Sequence, residues 1–203
     1  MKSLSIVIAT VLIAAAPAAA QEHQHEVATA PAGWAWTTDA NVFFGGNYQR
    51  RLFLDYSVWE SQNWFMLGGD GPLGPGRVTV DLMVSLEPFT LRKQGSPQLF
   101  QTGESYRQTP LVNYQHPHDL VMGLGATYRY TRRAVTYFAG ADLVGSPTLG
   151  PTPFMHRESG RSNPQVPLTH HSLDSTHITQ GVVRAGATIG PLTLESSVFR
   201  GEE

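Results

Sequence analysis

The sequence predicts an all-β fold, an antiparallel transmembrane β-barrel that is incomplete in this chain, with about seven strands. Three observations predict it. Stretches of about ten residues alternate apolar and polar side chains, an export signal opens the chain, and the connections between stretches are short and long by turns. Ten residues match a tilted strand crossing a bilayer. Short turns on one rim with long loops on the other is the known asymmetry of outer-membrane barrels.

The first element is the export signal. Lys2 precedes an apolar run from Leu4 to Ala16, and Pro17-Ala18-Ala19-Ala20 closes it. A positive start, an apolar middle and a small-residue end define a cleavable leader over 1–20. The run is too short for a spanning helix, which needs ~20 apolar residues. Residues 21–33 read as a flexible lead-in, and 34–203 as the barrel domain.

Period two begins at Trp34. In the clearest case Val78, Val80, Leu82, Val84 and Leu86 share one face, opposite Thr79, Asp81, Ser85 and Glu87. Leu120 to Tyr130, Val135 to Leu143 and Leu192 to Val198 repeat the pattern. Strands are expected at 35–44, 51–60 (running on toward Met66), 77–87, 119–131, 134–143, 177–189 and 192–200. The inner turns are then Gly68–Gly76, Arg132-Arg133 and Gly190-Pro191. The outer connections are a turn near Gly45–Arg50 and the long stretches 88–118 and 144–176. Tyr128, Tyr130 and Tyr137 fall near the Arg132-Arg133 turn, as an interfacial aromatic girdle would. A soluble sandwich would show the same alternation with its apolar face inward. An odd strand number, and an end directly after a strand, predict that the natural chain continues past Glu203.

Composition narrows the function. Charged residues make up 15% of the chain, below the ~25% of soluble domains. A net charge of −2 argues against nucleic acid as a partner. Cysteine is absent, which removes disulfides and thiolate ligands. The expected partners are outer-membrane lipid and a metal ion.

Six of the eight histidines fall in the two long outer connections or at their ends. His116, His118 and Asp119 form one group; His156 stands in the second loop with His170, His171, Asp174 and His177. Imidazole and carboxylate without thiolate suit Cu(II), Zn or Ni, so these eight residues are the candidate metal ligands. No compact metal motif is present, and loop histidines also serve as structural hydrogen-bond partners. Cleavage after Ala20 would place His23 third in the mature chain, a geometry able to form a square-planar Cu(II) or Ni(II) set. A rim hydrolase built on His156 and Ser159 is the alternative. Those residues are three apart, where a base and nucleophile on one strand face would be two apart. A purely structural, porin-like barrel is the third reading.

Several stretches together carry a resemblance. They are Gln101-Thr102-Gly103-Glu104, Thr109-Pro110-Leu111-Val112, Gln115-His116-Pro117-His118-Asp119-Leu120, Pro153-Phe154-Met155-His156-Arg157 and His170 to Thr179. Over 34–203 the chain resembles an uncharacterised family of bacterial outer-membrane-like proteins, often encoded near copper and heavy-metal resistance genes. The resemblance implies an outer-membrane location, a chain that runs on after Glu202, and an association with copper; it implies no established activity.

Overall fold

The computed structural model describes residues 6–14, 32–50, 55–92, 94–98, 104–111, 113–148, 152–165 and 178–200. In chain order the elements are β1 (Ile6–Ala14), β2 (Ala35–Val42), β3 (Gly45–Gln49), β4 (Tyr56–Glu60), β5 (Asn63–Leu73), β6 (Gly76–Val84) and α1 (Glu87–Thr90). Then follow β7 (Ser96–Pro97), β8 (Glu104–Tyr106), β9 (Thr109–Leu111), β10 (Tyr114–Gln115), β11 (Val121–Arg132), β12 (Val135–Gly145), β13 (Thr179–Ile189) and β14 (Leu192–Arg200). Eight strands form one antiparallel sheet in the order β1-β14-β13-β12-β11-β6-β5-β2. Among the described residues no pairing joins β1 to β2, so the sheet is open rather than a closed barrel.

Two-residue turns join β5 to β6, β11 to β12 and β13 to β14 at one end of the sheet. Gly74 and Gly190 take positive φ just before Pro75 and Pro191, which suits tight hairpins whose first turn residue is left-handed. Arg133 adopts the same conformation without glycine. The connections β2–β5, β6–β11 and β12–β13 all gather at the opposite end, called here the loop end.

Three expectations need correction. The strand expected at 51–60 is not in the large sheet: β4 pairs with β3 as a separate hairpin, where a turn near Gly45–Arg50 was expected. The strand beside β6 is instead β5, which absorbs most of the predicted Gly68–Gly76 turn and leaves only Gly74-Pro75 to reverse the chain. Glycines persist inside β5 because β2 leaves no space there. A side chain at Gly68, Gly69 or Gly71 would strike Thr37, Trp36 or Trp34. Lastly, the sheet was expected to begin at Trp34, but Ile6–Ala14 pairs along β14, from Ile6↔Arg200 to Ala14↔Leu192. A run of nine residues containing Ile, Val and Thr has strong β-propensity and satisfies the backbone edge that β14 offers.

The two faces of the sheet differ sharply. On the outer face Leu67, Leu124, Tyr137, Leu143, Val183, Ile189, Leu192, Leu194 and Val198 are exposed. The inner face carries the charges. Arg77 forms an ion pair with Asp70, and Thr79 donates a 3.0 Å hydrogen bond to the same carboxylate. Arg129 donates to the Thr79 hydroxyl at 2.6 Å, and Arg184 donates to Thr127 and Asp142. Toward the turn end, Thr131–Thr136 and Thr188–Thr193 hydroxyl pairs bridge the hairpins. Within the large sheet, the buried apolar side chains lie toward the loop end of this inner face. There Trp64, Met83, Met122, Phe154 and Met155 form a cluster.

Candidate functional site at the loop end of the sheet

The loop end is built around one buried carboxylate. Pro88 sits in the first turn of α1, where its missing N–H costs nothing. That turn carries Glu87 inward, to 3% exposure. Glu87 Oε1 accepts the Asn63 backbone N–H at 3.2 Å. Its Oε2 accepts the His118 backbone N–H at 2.9 Å and lies 2.8 Å from His118 Nδ1. Asn63 reciprocates, its Oδ1 accepting from Leu86 N–H and its Nδ2 donating to Thr90. Burial acts to raise the Glu87 carboxyl. The His118 charge and the hydrogen bonds from His118 and Asn63 outweigh it and hold the group below its ordinary value of 4.5. The first residue of β5, α1 and the segment before β11 are thereby latched together.

A second buried carboxylate, Glu60, organises the neighbouring hairpin. It accepts hydrogen bonds from Asn47, Gln62 and Ser96.

The β12–β13 connection crosses over the inner face. Thr148 N–H donates to Ser197 on β14, and at the far side Arg161 reaches Asp39 and Asn41 of β2. Between these anchors a 3₁₀ turn, Phe154–His156, presses Phe154 and Met155 onto the sheet. The His156 ring stands 5.0 Å from the Trp64 ring.

The predicted site residues separate under this geometry. His118 is buried in the Glu87 latch, His116 is half-buried, and Asp119 is exposed two residues before β11. His156 lies on the 3₁₀ turn against Trp64, and His170, His171, Asp174 and His177 lie outside the described residues. Among the described residues no three His, Asp or Glu side chains come together as a metal-binding group. The partner of the alternative hydrolase, Ser159, is exposed on the loop while the His156 ring faces Trp64.

Sequence reasoning missed the residues that do converge. Met66, Met83, Met122 and Met155 line one cavity of about 210 Å³ beneath the 3₁₀ turn. The available signal was positional and partial: Met83 and Met122 fall at the loop-end portion of predicted strands, and Met155 precedes His156. No family model, curated protein or solved structure matches the chain.

Proposed function

We propose that the protein is a bacterial outer-membrane protein of the β-barrel type, its outer face seated in lipid and its loop end folded over the inner face. The observation that carries this reading is the inversion of the sheet. Along β12, Tyr137 and Leu143 are exposed, Leu143 at 71%, while Asp142 between them in the alternation is 4% exposed. Water would select the opposite arrangement; hydrocarbon selects this one. An exposed apolar surface of this extent exceeds what scattered surface residues explain.

Aromatic placement supports the same reading. Trp34 and Trp36 stack at 5.5 Å near the turn end, where the outer-face residues Tyr128, Tyr130 and Tyr137 also lie. At the loop end Phe44 stacks on Trp59 at 5.4 Å, and both are exposed, as is Phe89. Two aromatic bands flanking an aliphatic one match the girdles at the two interfaces of a bilayer. The leader read over 1–20 supplies the export route, and the motif resemblance over 34–203 points to the same membrane. In lipid both sheet edges must be paired, and removal of the leader would take β1 from β14, so this reading requires strand partners for β2 and β14 there.

Fractionation tests it. The protein should sediment with outer membranes and migrate faster in SDS before boiling than after. Recovery in the soluble periplasmic fraction, with one mobility at both temperatures, would refute the reading.

A further inference from the structure

All methionines after residue 1 line the single cavity described above, and each arrives by a different route. Met66 and Met83 face each other as cross-strand partners on β5 and β6. Met122 is the extra residue of a bulge: Val121 pairs with Val84 and Gly123 with Met83, which leaves Met122 between them and buried. Bulges commonly re-aim a side chain at a functional site. Gly123 keeps the way clear, since a side chain there would press on Met83 at 3.3 Å. Met155 comes down from the 3₁₀ turn, and His156 brings an imidazole to the same wall.

The electrostatics of the cavity are not those of an ordinary apolar core. Asp81, Asp142 and Arg184 share its lining. Arg184 pairs with Asp142 Oδ1 at 3.2 Å, which leaves two carboxylates against one guanidinium. Asp142 Oδ2 is buried with no hydrogen-bond partner among the described residues, a costly arrangement unless a ligand completes it.

We infer that this cavity is a binding site for a soft monovalent metal cation, Cu(I), held by the thioether sulfurs with His156, its charge met by the surplus carboxylate. Thioethers are soft, uncharged donors that favour Cu(I) over Zn(II), Mg(II) or Ca(II). Methionine also fills irregular cores without binding anything. That role explains the sulfurs but not the excess negative charge beside them. The inference does not depend on whether the outer face meets lipid.

The test uses the full chain folded in detergent micelles. Cu(I) is titrated anaerobically against a chromophoric Cu(I) chelator, with Ag(I) as a redox-inert probe in parallel. One ion should bind per chain, with sulfur scattering in the copper X-ray absorption spectrum. Replacing all four residues (Met66→Leu, Met83→Leu, Met122→Leu, Met155→Leu) conserves volume, the kind of core swap that is tolerated best. It should weaken binding by more than about 100-fold, beyond the 10–100-fold that losing an outer-shell partner costs. Met155→Leu alone, on the loop, serves if the fourfold variant does not fold, and should weaken binding about tenfold or more by the same scale. No ion bound by the wild type, or unchanged affinity in a folded methionine variant, would overturn the inference.

Discussion

The two faces of β12 and β14 carry opposite chemistry within one strand width. On the outer face Tyr137, Ala139, Ala141 and Leu143 run exposed beside Leu192, Leu194 and Val198; on the inner face lie Asp142, Glu195 and a buried Ser197. The outer-face side chains are only partly covered by the protein, which leaves much of their apolar area to their surroundings. The inner face is held by directed bonds, from Arg184 to Asp142 and Thr127 and between paired threonines. The same substitution should therefore have different consequences on the two sides, and the largest effects should fall where directed bonds are most buried.

The largest effect is expected at the loop end. Glu87→Ala strands the His118 ring and two backbone N–H groups in a buried setting, and should cost about 3–5 kcal/mol. Denaturant titration of the chain in micelles reads that loss. Glu87 also predicts an acid limit. A carboxyl held low in the folded state adds stability that is complete above its unfolded value near 4.5. That stability drains away as pH falls below 4.5 toward the lowered folded value, and Glu87→Gln should remove this component. A wild-type acid limb identical to that of Glu87→Gln would show that the latch adds nothing.

Next comes the outer face. Ala139→Arg, near the middle of β12, should cost about 2–4 kcal/mol in bilayers. Glu195→Lys, on the inner face of β14, should stay below about 1 kcal/mol, since lumen-facing charges are tolerated. Equal costs from folding titrations into vesicles would erase the contrast between faces. A comparably small effect belongs to the hairpin hydroxyls. Thr188→Val removes the 3.0 Å bond to Thr193 and should cost about 0.5–1 kcal/mol, since that bond is only half-buried.

Much of the sheet was legible because a period of two survives whatever the strand faces. Six of the seven expected strands overlap observed ones in the large sheet directly, from Ala35 to Arg200. β5 was obscured because glycines that usually signal a turn here make room for Trp34 and Trp36 from the neighbouring strand. Only the pairing reveals that need. The histidine pattern was visible, but what it meant depended on Glu87, which alternation placed as one more polar residue of a strand and which the chain instead turns inward at α1. The methionines carried only a weak positional signal. They sit far apart in sequence and meet through strand register, a bulge at Met122 and a loop crossing the sheet.

The absence of native cysteine opens a direct measurement of the inversion. Single cysteines placed at successive positions from 136 to 143 can carry a spin label in reconstituted vesicles, with dissolved oxygen and a water-soluble nickel chelate as competing relaxants. Labels at 137, 139, 141 and 143 should respond to oxygen and ignore nickel, with intervening positions reversed or shielded from both. Odd positions relaxed by nickel, or no period of two, would contradict a sheet that turns its apolar side chains to lipid.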